Sequence, residues 1–267
     1  MENISEKVKI EQPYIRFFLG ELLGTFILVF IGNGASHAAA LDPTLSSLHQ
    51  PLAYGLGCAL GIFSCAGVCG GHINPAITVA HVILGKLGST WRSNLSAALV
   101  IVSGQFLGGF VASGVVHAIY IDTEHYLNGE NATSLVGMYA TWPGAPFPIS
   151  IGRLFADQFF TTAILAITVL AVTDPHNARP KGMAPLIIGL AVAALALGYG
   201  ANGGGAFNPA RDFGPRLVAL FVFGSEAFSG FSYFFWIPLV APLLGGAHGA
   251  LVYFFFISAH WPLVENC

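Results

Sequence analysis

The chain has 267 residues, 55% of them hydrophobic and only 9% charged, with a formal net charge of −3. An ordinary soluble domain carries about 25% charged residues to cover its core, so these proportions exclude that class and point to an all-α integral membrane protein. The net charge says nothing about nucleic acid, but no basic stripe interleaved with aromatics appears, so no nucleic-acid partner is expected.

Crossing a bilayer takes about 20 apolar residues. Six stretches are long enough: Arg16 to Ala40, Pro51 to Val68, Ser93 to Tyr120, Gly152 to Val172, Met183 to Gly200, and Tyr233 to Ser258. Residues 1–15 form a polar tail, residues 16–258 a single channel-sized domain, and residues 259–267 a short second tail. The first span is long and carries Glu21, so it reads as a retained span rather than a cleaved signal peptide. Lys7, Lys9 and Arg16 precede span one, Lys86 and Arg92 follow span two, and Arg179 and Lys181 follow span four. The other side carries Asp42, Asp122, Glu124 and Glu130 with only Arg153, so the positive-inside rule places both termini in the cytoplasm. That topology puts the sequon at Asn131 outside, as a candidate N-glycosylation site, and leaves those at Asn3 and Asn94 unused. Cys58, Cys65 and Cys69 read as small buried thiols, and with Cys267 they make neither a metal pattern nor a required disulfide.

Between these spans the tripeptide Asn-Pro-Ala occurs twice, at Asn74-Pro75-Ala76 and Asn208-Pro209-Ala210, each time after a run of glycines. Asn caps a first helical turn with its side-chain oxygen, and Pro suits the first helical position, where its missing N–H would be unpaired anyway. Two short helices therefore start inside the membrane, from Asn74 to about Leu84 and from Asn208 to about Leu220. The flanking sequence repeats too. Glu21-Leu22-Leu23-Gly24-Thr25 matches Gln158-Phe159-Phe160-Thr161-Thr162, and Gly108-Gly109 matches Gly245-Gly246. Each half (about 16–120 and 152–258, joined by an extracellular loop 121–151) has three spans, so the copies enter from opposite sides as an inverted repeat. The half-helix N-termini meet at the midplane. The segments before them, Gly70-Gly71-His72-Ile73 and Gly204-Gly205-Ala206-Phe207, are irregular backbone, tolerated at that depth only where it lines a cavity or is buried. Their carbonyls are expected to form a ladder of acceptors along a pore. Small residues four apart (Gly20 and Gly24, Gly57 and Gly61, Gly104 and Gly108, Gly245 and Gly249) suit close helix crossings.

Gly71-His72-Ile73-Asn74-Pro75-Ala76 and Phe207 through Leu217 (FNPARDFGPRL) resemble the paired motifs of the aquaporin family, with six transmembrane helices and two re-entrant half-helices. Asp212, Arg216, Pro238-Leu239 and the Gly224–Tyr233 insert are similar to its glycerol-conducting branch, the aquaglyceroporins, and Tyr120 is matched loosely to that branch's aromatic at the end of span three. The resemblance implies a narrow outer filter at Tyr54, Ala196, Gly205 and Arg211, and a homotetramer with one pore per subunit. Where Ala196 stands, a water-selective member typically has His; a typical glycerol channel has a bulky aromatic where Gly205 stands. The filter is therefore either unusually broad or filled by Tyr199 or Phe207.

The residue chemistry agrees. Two helix N-termini, roughly half a positive charge each, disfavour cations at the midplane. Asn74 and Asn208 present amide donors, and Arg211 lies at membrane depth, where an ionisable group marks function. Glu21 and its mate Gln158 are expected to hold the inserted loops, and Asp212 the surroundings of Arg211 or the first turn of its half-helix. His72 is a candidate pH gate, with a structural role in the loop as the simpler reading. The sequence thus reads as a passive channel for water, glycerol and other small neutral solutes in the lipid bilayer of the plasma membrane, with no cofactor and no metal. It shows no catalytic triad, ligand cluster or phosphate loop, so it is not an enzyme. A water-selective channel and a non-transporting junction protein on the same scaffold are the alternatives.

Overall fold

Six helices long and apolar enough to cross a membrane dominate the computed structural model, which describes residues 2–42, 44–45, 47–127, 132–144, 147–177 and 182–262. After a short α1 (Glu2–Val8), repeat one contains α2 (Pro13–Leu41), α3 (His49–Cys69), the half-helix α4 (Pro75–Ile83) and α5 (Trp91–Leu127). A connecting α6 (Ala132–Tyr139) leads to repeat two: α7 (Ile151–Thr173), α8 (Ala184–Gly203), the half-helix α9 (Pro209–Phe223), α10 (Glu226–Tyr233) and α11 (Ile237–Phe256). The described residues contain no strand.

Equivalent local chemistry ends equivalent helices. Gly70 closes α3 and Gly204 closes α8, both in the left-handed region with φ of 89° and 78°, where a side chain would be strained. Each turn frees the chain to run extended into the Asn-Pro-Ala helix start.

The two repeats interlock through glycine. Within each repeat, Gly108 of α5 packs against the Leu22 carbonyl of α2, and its mate Gly245 of α11 packs in the same way on the Phe159 carbonyl of α7. The neighbouring glycines reach across the repeats. Gly109 of α5 packs on Ala210 of α9, with a Cβ 2.6 Å from its carbonyl, while Gly246 of α11 packs on Ala76 of α4. Each third span therefore grips the other repeat's half-helix, and neither half-helix is held by its own copy alone. Gly55 of α3 and its mate Gly189 of α8 pack on each other's carbonyls, a Cβ on Gly55 falling 2.6 Å from that of Gly189. A residue touches its own mate only beside a two-fold axis, so this contact marks the pseudo-two-fold.

Polarity is inverted relative to a soluble protein. Leu19, Phe63, Leu99, Phe160 and Phe221 are exposed along the outer helix faces, while Glu21, Gln105, Gln158, Asp212 and Arg216 are fully buried. With lipid outside, the apolar residues cover the perimeter and backbone groups that leave the helices are satisfied by the buried polar ones.

Two segments differ from the sequence expectation. Helix α5 continues past Tyr120 to Leu127, and α6 occupies part of the connection expected to be a loop. Glu124 is the physical reason: rather than facing solvent, it turns inward to accept from Tyr139 of α6, His117 Nδ1 (2.9 Å) and His37 Nε2 (3.0 Å). Tyr120 packs on His37 with its ring tilted by 38° and the centroids 5.0 Å apart. At the opposite end Asp174 caps α7 and accepts from the His176 backbone and ring, Tyr253 and Trp261. Burial opposes its ionisation, but these donors outweigh it and hold the carboxyl at about 2.

The axis contact is testable against a neighbour on the same helix. Gly189→Leu is expected to abolish the monodisperse detergent-solubilised peak in size-exclusion chromatography, whereas Gly198→Leu, at a position with nothing within 4 Å, is expected to leave it intact.

Candidate functional site

The two Asn-Pro-Ala motifs meet. Asn74 Oδ1 accepts the Ala76 N–H at 2.9 Å, and Asn208 Oδ1 accepts those of Ala210 and Arg211 at 3.0 and 3.2 Å. Each amide nitrogen then crosses to the other repeat: Asn74 Nδ2 donates to the Phe207 carbonyl at 2.9 Å and Asn208 Nδ2 to the Ile73 carbonyl at 2.7 Å. Ile73 and Phe207 both sit in the left-handed region, with φ of 44° and 48°. Such angles cost a non-glycine residue on the order of 1–3 kcal/mol, and here they turn each carbonyl toward the opposing asparagine. An amide carries two hydrogens, so one on each asparagine remains for a ligand.

Buried acceptors hold the extended segments from behind. Glu21 accepts the His72 and Ile73 N–H groups at 2.8 and 2.7 Å, and Gln105 Nε2 at 2.7 Å. Its mate Gln158 accepts the Ala206 N–H at 2.8 Å and that of Phe207 at 3.4 Å. With these N–H groups tied back, a cavity of about 1080 Å³ passes along the other side, lined by all eight residues of the expected ladder and by both asparagines. Three of the eight carbonyls already hold one protein donor. The Ile73 and Phe207 carbonyls take the crossing amides and that of Ala206 takes the Asn208 N–H at 2.5 Å. Among the described residues the carbonyls of Gly70, Gly71, His72, Gly204 and Gly205 accept no protein hydrogen bond.

All four expected filter positions line this cavity. The Arg211 guanidinium carbon lies 4.3 Å over the Tyr54 ring, and Tyr54 is fixed by its hydroxyl donating to Asn33 Oδ1 at 2.8 Å. Gly32 makes room for that ring. Of the two aromatics considered for the space beside Gly205, Phe207 lines the cavity, whereas Tyr199 is half exposed on the outer face. Tyr120 does not line it, because its ring is on His37.

Asp212 does not touch Arg211. It forms a fully buried ion pair with Arg216 at 2.8 Å, and accepts the Thr141 N–H at 2.8 Å. Arg216 in turn donates to the carbonyls of Thr141 and Ala227 at 2.8 and 2.7 Å, and the Thr141 hydroxyl lies 3.4 Å from Arg211 Nη1. Thr141 is thus held by both members of the pair and meets Arg211. No sequence signal marked it, since it stands in an aperiodic connection.

His72 Nδ1 lies 3.2 Å from Thr78 Oγ1, and its ring stacks on His81 at 4.2 Å. Thr78 Oγ1 also lies 3.2 Å from the Asn74 carbonyl oxygen, which accepts from it. The candidate glycosylation site Asn131 lies outside the described residues.

Chemically, the cavity offers amide and guanidinium donors on one side and carbonyl acceptors on another, between apolar walls such as Ile62, Leu165 and Ile188. Among the described residues, Arg211 and Lys86 are the only formally charged side chains lining it, and no carboxylate does. That set suits a small neutral molecule with several hydroxyls.

The profile of the Major intrinsic protein family matches residues 8–253. The chain is 36% identical to Aquaporin-9 of Homo sapiens over 98% of its length and 89% of that protein's. It is 35% identical to Aquaglyceroporin-3 of Trypanosoma brucei brucei, over 91% of this chain and 79% of that one. Among solved structures, the aquaglyceroporin from Plasmodium falciparum superposes with a TM-score of 0.78 at 30% identity, covering 90% of this chain and 95% of that one.

Removing one member of a buried ion pair strands the other at a cost of roughly 3–5 kcal/mol, whereas replacing both with apolar groups is often neutral. Arg216→Met is accordingly expected to lower the detergent melting temperature sharply, and Asp212→Leu with Arg216→Met to recover most of it. If the double variant melts as low as the single one, the stranded charge is not what destabilises.

Proposed function

The chain belongs to the major intrinsic protein family, and we propose that it is a passive transmembrane channel for water and small uncharged solutes. Glycerol is the chief solute in this reading, with urea and larger polyols as further substrates and with ions and protons excluded. The observation that carries it is the cavity itself: five unengaged carbonyls, two half-used amides and Arg211 face it, with no carboxylate along its length among the described residues. A polyol's hydroxyls would donate to the carbonyls and accept from the amides while its carbon backbone slides on the apolar wall. A cation meets two helix N-termini and a guanidinium along a cavity that no carboxylate lines among the described residues. The relatives named aquaglyceroporins support the same solute class.

In this proposal Tyr54, Ala196, Gly205 and Arg211 form the outer filter. The Asn-Pro-Ala residues Asn74, Pro75, Ala76, Asn208, Pro209 and Ala210 form the central barrier. Glu21, Gln158 and Asp212 support the loops, and His72 holds loop structure rather than gating. The protein is a multi-pass membrane protein, and the basic residues Lys7, Lys9, Arg16, Lys86 and Arg92 favour cytoplasmic termini. Plasma-membrane location, a homotetramer and glycosylation at Asn131 complete the reading.

Stopped-flow light scattering on proteoliposomes is expected to show water and glycerol flux well above the lipid background. Fast water flux with glycerol at background would instead make this a water-selective channel, and no flux of either would leave the junction-protein reading. Glycerol flux is expected to be flat from pH 5 to 8. A wild-type loss toward pH 5 that His72→Ala abolishes would make His72 a gate.

A further inference from the structure

Comparing each repeat with its mate isolates one residue whose placement breaks the symmetry. In repeat one the side-chain space beside Gly71 is closed by α3: a Cβ there would lie 3.1 Å from the Ala66 methyl and 3.3 Å from Ile62 Cγ2. The mates of Ile62 and Ala66, 134 positions on, are Ala196 and Gly200, each the smaller residue. Beside Gly205, the mate of Gly71, α8 therefore leaves a gap. The Phe207 ring occupies it, with Cζ and Cε2 at 3.3 and 3.4 Å from a Cβ on Gly205 and the Gly200 Cα at 3.6 Å.

The reason the ring lies there is equally local. Ile73, the mate of Phe207, finds its room over Gly24 and Gly61, where Cβ atoms would fall 2.6 and 3.4 Å from its own side chain. At the matching positions repeat two has Thr161 and Leu195, which leave no such room. The cross-braced backbone fixes φ of Phe207 at 48°, so its ring is directed by the same strained turn that aims its carbonyl at Asn74. Gly205 itself, at φ of 63°, is a strained place for any side chain.

We propose that Phe207 is the size-determining wall of the filter, filling from two residues along the chain the space that the Gly205, Ala196 and Gly200 backbone leaves open, and thereby setting how large a polyol passes. The proposal deepens the channel reading and rests on it. Removing the ring opens an apolar pocket continuous with the cavity between Ala196 and Arg211.

The test is the ratio of six-carbon polyol (sorbitol) flux to glycerol flux in proteoliposomes of folded, monodisperse protein. Phe207→Ala is expected to raise this ratio roughly tenfold, the scale on which an apolar wall discriminates by a methylene or two. Phe207→Leu is expected to raise it less, and it carries the test if the alanine variant does not fold. Ala196→Leu added to Phe207→Ala is expected to refill the gap and bring the ratio back toward wild type. An unchanged ratio in a folded Phe207 variant, or an equal proportional loss for both solutes, would overturn the proposal. Absence of glycerol flux in the wild type would instead overturn the channel reading, so the two failures are distinguishable.

Discussion

Two amide hydrogens, one from each half of the chain, hold the centre of this protein. Asn74 donates to Phe207 and Asn208 to Ile73, so each half-helix is capped by its own asparagine and tied by that same side chain to the opposite repeat. Neither bond exists unless both extended segments arrive in register, with Ile73 and Phe207 in a conformation that non-glycine residues avoid. The remaining architecture secures that register. Glu21 and Gln158 fix the segments from behind, and the third span of each repeat grips the half-helix of the other.

Exclusion and selection are consequently located in different places. In the proposed reading the brace brings two helix N-termini together beside a conduit that no carboxylate lines among the described residues, which disfavours cations there. Solute choice in the proposed reading belongs further along, where Arg211 lies over Tyr54 and the Phe207 ring lies beside Gly205. Thr141 is the link between that filter and the buried Asp212–Arg216 pair, because the pair holds its backbone and leaves its hydroxyl toward Arg211. The polar groups deepest in the protein thus serve the conduit rather than a hydrophobic core.

The six spans, the half-helix starts and the repeat could be read from the sequence because their signals are local. Apolar runs, an Asn-Pro pair after glycines, and matched pentapeptides around Glu21 and Gln158 need no knowledge of the fold. Glu124 could not be placed, since its neighbours Asp122 and Thr123 look like a surface and its partner His37 lies on another helix. The same limit hid Thr141, which gains its role from groups on α9. The space beside Gly205 could be read only as left open or as filled by Tyr199 or Phe207, because the outcome depends on backbone angles set by the cross-brace. Nothing in the sequence signalled that the crossing amides would occupy one acceptor site each on the Ile73 and Phe207 carbonyls of the expected ladder.

In the proposed reading the paired asparagine donors both hold the half-helices together and keep the conduit closed to protons. This is tested most directly by measuring proton leak with an entrapped pH dye in vesicles carrying Asn208→Asp, which keeps the shape and the cap acceptors but cannot donate. The account predicts a protein that still inserts and purifies, with proton leak clearly above the wild-type level and reduced glycerol flux. A variant as proton-tight as the wild type, conducting glycerol at the wild-type rate, would contradict it.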